Sequence, residues 1–545
     1  MNPRAVVLAV AAGVALADAS IVTLALPEIL RDLNTSVEGV AAVIGVYTAV
    51  LAIALVPLER VAARHGTRVL GAAGFGLLAA AGVVCASADS MPLLLVARCL
   101  QALGGAAGLA VAFELLGGGE GQGRRLWVAA AVFATALGPV AGGILTQAFS
   151  WRAIFVFQVP IAVAGAVAVL AGPTQPRVDE PDEATPEPLR PALALGLVSA
   201  ALSAVLFLLV LLLVAGWNVS PLRAAIAVTV IPLGAIAGAR IQGEQPVRAA
   251  SGCAMVGGGV LALAWLPGAS LWWTVPPQTL AGVGMGLALT ALPGGLLPER
   301  TPRDAARLLA IRHAGIAIIL AVAAPIAAHQ LDVATEHARE QGVALVLDSS
   351  LPPLDKIKLA PALLAGVQSD QPRSGLRKAV AAERHRFSGE NLVAYDELGK
   401  RADDTLVTAV GNAFRSSFLI AGAAGFLAAI LLVIGVRLAT VAVAGVLAIG
   451  TPALYGVLYT TIAPKPPAIL DPCTAKRETP EAGGLTGLIQ RQALALLDRA
   501  ACRYGSSREE LVLALADKDD AKKFQQKHHV NPRSALGILQ GLLGP

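Results

Sequence analysis

Thirteen stretches of about 20 mostly apolar residues follow one another along this 545-residue chain, and they fix its fold class before anything else. A helix needs about that length to cross about 30 Å of hydrocarbon, and within lipid only helices and closed barrels satisfy their own backbone groups. The stretches lie at about 5–26, 38–58, 67–87, 92–116, 126–148 and 152–171, then 191–216, 221–241, 250–267, 272–297, 305–330, 413–436 and 438–462. With 56% of residues hydrophobic and 14% charged, the chain is more apolar than a soluble fold requires. Its 56 glycines and few aromatics suit helices that approach backbone to backbone. The reading is an all-α polytopic membrane protein.

A Pro- and acid-rich connector over 172–190 separates an N-terminal set of six spans (1–171) from a C-terminal set of six (191–436), and a thirteenth span follows over 437–462. Arginines gather in alternate loops: Arg60, Arg64 and Arg68; Arg124 and Arg125; Arg240 and Arg248; Arg300, Arg303 and Arg307. The positive-inside rule places those loops and the N-terminus in the cytoplasm, in a multi-pass protein of the cell membrane, and the C-terminus outside. Met1-Asn2-Pro3-Arg4 leads directly into the first span without a cleavage site, so that span is expected to be retained.

Two hydrophilic segments then fall on the outer face. The first is an insertion over 331–411, amphipathic at 377–387 and 392–410. The second is the tail over 463–545, where Ser506-Ser507 before Glu509-Glu510, and Asn531-Pro532, mark helix starts. A small helical extracytoplasmic domain is expected there, burying Leu488, Leu494, Leu497, Leu511, Leu515, Leu536, Ile538 and Leu542. So small a core is marginal, and Cys473 with Cys502 would staple it in an oxidising compartment. Cys85, Cys99 and Cys253 lie in apolar spans and read as small hydrophobes.

Asp18 interrupts the first span, where a carboxylate costs a few kcal/mol unless it meets a partner or water. Arg98 interrupts the fourth. At 1.5 Å per residue, Asp18 is about 20 Å from the inner end of its helix and Arg98 about 10 Å from the outer end of its own, so they share a depth. They are expected to meet or share a cavity, with Gln101 one turn along on the face of Arg98. Such a pair serves either a proton-handling site or a structural stitch between helices, and both readings stand at this point. In the fifth span Pro139 removes a helix hydrogen bond and bends the axis, while Gly138, Gly142 and Gly143 leave a groove for a neighbouring helix. Gln101, Gln158 and Gln278 are the candidate polar anchors of a cavity; Arg312 and His313 read as caps at the cytoplasmic end of their helix.

Together these stretches resemble the major facilitator superfamily and, within it, the drug:proton antiporter branch. Asp18 to Pro27 is similar to the branch's first-helix pattern Leu-Asp-x-Thr-Ile-Val-Asn-Val-Ala-Leu-Pro, with Ser20 for Thr and Thr23 for Asn. Arg98-Cys99-Leu100-Gln101-Ala102 resembles the fourth-span Arg-x-x-Gln-Gly signature, and Gly138-Pro139-x-x-Gly142-Gly143 the antiporter signature of the fifth. Trp151 to Phe155, followed by Pro160, resembles the start of the sixth span; Gly216 to Leu222 and Arg312 to Gly315 match less sharply. The resemblance covers about 5–437 apart from the insertion, and implies two six-helix bundles around a central cavity with alternating access. The loop from Glu59 to Arg68 keeps the family's Arg64, Gly66 and Arg68 as a cytoplasmic gate but carries Ala63 where the family has Asp, with Glu59 one turn earlier as a substitute. The two helices that the branch often adds between its halves have no counterpart here.

The resemblance implies proton-coupled export of amphipathic or lipophilic compounds, drug or lipid-like, with Asp18 and Arg98 as the coupling pair and the proton gradient in place of any cofactor. Two alternatives remain: an envelope-lipid transporter that hands cargo to its outer segments, and a non-transporting scaffold or receptor, which Ala63 favours. The expected partners are membrane lipids, a small lipophilic or lipid-like substrate, and an extracytoplasmic protein bound through 331–411 and 463–545. Nucleic acid is not expected, because the basic residues behind the net charge of +5 are scattered. Gly117-Gly118-Gly119-Glu120-Gly121 lacks the ending of a phosphate-binding loop, no His/Cys spacing suggests a metal, and the chain reads as no enzyme.

Overall fold

The structure is a computed structural model that describes residues 2–117, 121–172, 188–293, 295–352, 355, 356, 358, 359, 363, 366, 372–474 and 484–534. Most of the expected connector, at 173–187, lies outside these residues, as do the helix expected after Asn531-Pro532 and with it Leu536, Ile538 and Leu542. Every described element is helical apart from one isolated bridge between Pro293 and Leu297.

The first half consists of α1 (Pro3–Thr23), the short α2 (Leu26–Asp32), α3 (Val37–His65), α4 (Thr67–Ala86), α5 (Met91–Leu116), α6 (Gly121–Ala148) and α7 (Arg152–Leu170). The second consists of α8 (Leu189–Leu211), α9 (Pro221–Val228), α10 (Val230–Ala239), α11 (Gln245–Ala262), α12 (Leu271–Ala291), α13 (Pro302–Asp348), α14 (Pro372–Glu383), α15 (Gly389–Val433) and α16 (Leu438–Ile462). Three short helices complete the tail: α17 (Gly484–Tyr504), α18 (Arg508–Ala516) and α19 (Lys518–His528). Among the described residues, eleven helices are long and apolar enough to cross a membrane, α16 among them.

Two compact units result, one of residues 1–215, 219–330 and 414–462, the other of 216–218, 331–413 and 463–545. In the first, α1 packs on α6 and α7, and α4 on α5 and α7; in the second half of the chain α10 and α11 pack on α12. Small residues make this possible. A Cβ on Gly142 would lie 2.1 Å from the Ile21 carbonyl oxygen, so α6 and α1 touch through backbone. α16 packs on α11 and buries only Ala448, Pro452 and Tyr455, the last donating its hydroxyl to the Trp273 carbonyl at 2.7 Å. Leu438, Val443, Val446, Ile449 and Val457 on it are more than half exposed, which suits a helix facing lipid.

The sequence places boundaries of the insertion at 331 and 411, yet α13 and α15 run unbroken through both positions. The reason lies in the residues beyond 330. Val333 to Leu347 has no Pro and is built mainly of Ala, Val, Leu, Glu and other helix-compatible residues around a single glycine, Gly342, so the helix continues through it. A second difference is that insertion and tail are one unit, not two. Arg339 grips Asp520 with both Nη atoms, at 3.0 and 2.6 Å, Arg508 Nη2 reaches Asp348 at 2.7 Å, and Lys523 reaches Glu336 at 3.1 Å. The tail core of Ala500, Ala501, Leu511, Ala514 and Phe524 is as small as the sequence implies, and these links tie it to the larger cluster around Leu345, Leu351, Leu376 and Tyr395. The disulfide joins Cys473 to Cys502, and Ser507 caps α18 by accepting from Glu510 N at 3.0 Å. Leu494 is buried, but Leu488 and Leu515, expected in this core, are exposed.

Candidate functional site

Asp18 and Arg98 are both fully buried, and Arg98 Nη2 lies 2.5 Å from Asp18 Oδ2. The remaining polar atoms close a ring around this pair. Arg98 Nη1 donates to Gln101 Oε1 at 2.6 Å, Gln101 Nε2 donates to Gln158 Oε1 at 3.0 Å, and Gln158 Nε2 donates to Asp18 Oδ1 at 3.0 Å. Three helices supply the four side chains: α1, α5 and α7. The i,i+3 spacing of Arg98 and Gln101 turns both to one face of α5, as the sequence implies. Arg98 Nε donates to the Val43 carbonyl at 3.0 Å, and its guanidinium carbon sits 4.3 Å from the Tyr47 ring centre. Tyr47 in turn donates its hydroxyl to the Ala15 carbonyl at 2.9 Å, fixing the aromatic face under the cation. Every charge is thus matched by charge, amide or π-face, which is how an ion pair becomes tolerable in a low-dielectric interior.

Gln101, Gln158 and Gln278, expected as cavity anchors, line neither of the two cavities between the halves. The amides turn to neighbouring side chains instead: Gln101 and Gln158 belong to the ring, and Gln278 donates Nε2 to Thr274 Oγ1 at 2.8 Å within α12, its Oε1 having no hydrogen-bond partner among the described residues. The cavities belong to other residues. A small one of about 90 Å³ is lined by Ser20, Thr23 and Pro139 from the first half and by Ser199, Arg312 and His313 from the second. A larger one of about 510 Å³ is lined among others by Arg124, Trp127, Arg240, Glu299 and Thr290. Leu16, Pro232, Met285, Leu289 and Arg312 line both, so the two adjoin. Asp18 lines neither, although its neighbours Leu16, Ala19 and Ser20 line the smaller one.

Arg312 and His313 do not cap a helix end. They sit ten and eleven residues inside α13, about 15 Å from its start, and Arg312 faces both cavities. Counting from Pro302 at 1.5 Å per residue finds this depth in the sequence. His313 is buried, with Nδ1 2.7 Å from the Leu309 carbonyl oxygen.

Contacts between the halves occur at both ends of α6. Near its C-terminus a Cβ on Gly143 would lie 2.4 Å from Ala225 Cβ on α9, while Gly138 meets Ser20 on α1 and Pro139 faces the small cavity. About 24 Å away along the helix, Trp127 Nε1 donates to Glu299 at 3.4 Å. At this second end Glu59, nearly buried, lies 3.8 Å from Arg303 of the other half. Gly66, at φ +96°, ends α3 and starts α4, a turn that favours glycine. Arg64 and Arg68, expected with Glu59 in a gate, are exposed side chains at the surface of this turn, as is Ala63. The Trp151-Arg152 stretch opens α7 and serves the packing there, because both side chains donate to Asp32, at 2.8 and 2.6 Å, and hold α2 against α7.

Two helical halves enclosing a cavity, with a charge pair sealed in the first and contacts between halves at either end, have the architecture of a polytopic membrane transporter. The chain belongs to the Major Facilitator Superfamily, whose sequence model matches residues 8–324. It is 33% identical over 188 residues to the tetracenomycin C resistance and export protein of Streptomyces glaucescens, covering 33% of this chain and 34% of that protein. It is 29% identical over 168 residues to the methylenomycin A resistance protein of Bacillus subtilis (strain 168), covering 30% and 36%. Against the multidrug efflux pump LfrA of Mycolicibacterium smegmatis it is 33% identical over 153 residues, 26% of this chain and 30% of that one. The chain thus spans about a third of the length of the curated relatives it matches. Among solved structures, a bacterial homologue of the human lysosomal transporter Spinster, inward-facing and unoccupied, superposes with a TM-score of 0.52 at 16% identity, covering 80% of this chain and 98% of that one. Its occupied form gives 0.53 at 16% identity, covering 78% and 96%. At that identity the likeness is one of fold.

Proposed function

We propose that this protein is a proton-coupled exporter of amphipathic or lipophilic compounds, working by alternating access between its two halves, with its N-terminus in the cytoplasm and its tail outside. The observation that carries the proposal is the sealed ring of Asp18, Arg98, Gln101 and Gln158 beside the face of α1 that lines the cavity. Asp18 is sealed from water by this ring, so a proton reaches it only when the helices part. Protonation then removes one charge, leaves Arg98 uncompensated and favours a different packing of α1, α5 and α7, and rocking of one half against the other follows. The export of tetracenomycin C and of drugs in the relatives' names supports efflux as the direction. The Cys473–Cys502 disulfide supports an oxidising, outer location for the tail.

The test uses everted membrane vesicles loaded with the protein and a fluorescent lipophilic dye. Dye accumulation that starts on imposing a pH gradient and stops on adding a protonophore supports the reading. Accumulation indifferent to the gradient rejects it. A second reading, handover of a membrane lipid by the other unit, rests on its being a folded, disulfide-closed domain built from two separate stretches of chain. Exchange of a labelled phospholipid with the dye flux absent would favour it.

A further inference from the structure

The cavity between the halves carries an unbalanced positive charge. Among the described residues no acceptor is paired with the Arg312 guanidinium, although it lines both cavities from well inside α13. Arg124 and Arg240 line the larger cavity with it. Glu299 is the one carboxylate among the residues lining either cavity, and it accepts from Trp127 while burial pushes its carboxyl up, toward the neutral form. Asp18, the other acid nearby, lines neither cavity and is already cancelled by Arg98. Most of the remaining lining is apolar, Leu16, Pro232, Met285, Leu289, Phe207 and Ile316 among it, and hydroxyls such as Ser20, Thr23, Ser199 and Thr290 carry no charge to offset the arginines. An unpaired cation in a low-dielectric cleft is costly, and the cost falls when an anion binds it through charge-assisted hydrogen bonds.

From this we infer that the central cavity is a binding site for an amphipathic organic anion, whose acidic head meets Arg312 and whose apolar body fills the space of about 510 Å³ beside it. That volume lies in the range of pockets that hold drug-sized molecules. A lipophilic cation would face three arginines against one shielded carboxyl, and a neutral body would leave Arg312 unsatisfied. The inference deepens the transport reading and rests on it for its place in an export cycle, but binding itself can be measured apart from transport.

Three probes with one apolar body separate the cases: 1-pyrenebutyrate, 1-pyrenebutanol and pyrenebutyl-trimethylammonium. Trp127 lines the larger cavity, so quenching of tryptophan emission by energy transfer to pyrene reports occupancy in the purified, full-length protein held in nanodiscs of neutral lipid. The wild type is expected to bind the carboxylate about tenfold or more tightly than the alcohol, the scale of one charged hydrogen bond, and the ammonium least. Arg312→Gln should bring the carboxylate to the level of the alcohol and leave the alcohol unchanged, and Arg312→Lys should keep most of the preference. The inference is overturned if the alcohol or the ammonium binds as well as the carboxylate, or if Arg312→Gln weakens all three alike. If charge-selective binding is intact while no gradient drives pyrenebutyrate across vesicles, the transport reading fails and the site stands.

Discussion

Replacing Asp18 by Asn tests whether the ring is held by charge. The amide can still accept from Gln158, so the shape and the hydrogen bond to Asp18 Oδ1 survive, while the 2.5 Å partner of Arg98 loses its charge. Both side chains have no exposed surface, and an uncompensated charge so placed costs about 3–5 kcal/mol. Arg98→Gln alone strands the carboxylate and should cost about the same. The double variant removes both charges and keeps amide partners for Gln101 and Gln158, so it should lie within about 1 kcal/mol of wild type, because buried pairs exchanged for uncharged groups are often close to neutral. A double-mutant cycle then gives a coupling of several kcal/mol, where non-interacting sites add within about 0.5 kcal/mol. Unfolding titrations in mixed micelles, followed by tryptophan emission, supply the four free energies. If the double variant is as unstable as the sum of the singles, charge does not hold the ring, and the reasoning from pairing fails.

Other expectations rest on the same geometry. Gly142→Val drives a side chain into the Ile21 backbone and should lower stability by about 1–3 kcal/mol in the same titration, whereas Gly143→Val strikes α9 of the other half and should instead shift the balance between conformers; equal effects of the two would contradict this division. Glu59→Gln loosens a pair 3.8 Å apart and partly open to solvent on the Arg303 side, worth about 0.5 kcal/mol, so a water-soluble maleimide should react about twofold faster with Met285→Cys in the cavity; an unchanged rate would remove Glu59 from the closure. Cys473 and Cys502 should resist alkylation until reductant is added, and reduction, which opens a loop of 29 residues, should cost that unit about 3–4 kcal/mol and expose α17 to protease; free thiols without reductant would place the tail on the other side of the membrane.

The polar ring is largely legible in the chain. Depth counting at 1.5 Å per residue puts Asp18 and Arg98 level, and i,i+3 spacing adds Gln101. Such a count does not give which way an amide turns, so Gln158 reads as a cavity anchor when it closes the ring. Tyr47 leaves no signal beyond being an aromatic residue in an apolar helix, because a cation–π contact joins helices far apart in sequence. Arg312 reads as a helix-end residue because basic residues cluster there, although the same rise per residue puts it about 15 Å inside. The long α13 and α15 escape a hydropathy reading because hydropathy changes at residues 331 and 411 while helix propensity does not. The joining of insertion and tail rests on pairs such as Arg339 with Asp520, 181 residues apart, which no local pattern announces.

The central claim is that proton occupancy of Asp18 decides which packing the two halves adopt. Spin labels on Phe149→Cys and Leu222→Cys, both exposed near the Gly143 end and one in each half, report the separation there by pulsed dipolar spectroscopy. As pH is lowered stepwise, the wild type is predicted to shift toward longer separations, and Asp18→Asn to give one distribution at every pH. The same pH-dependent shift in Asp18→Asn would contradict the account.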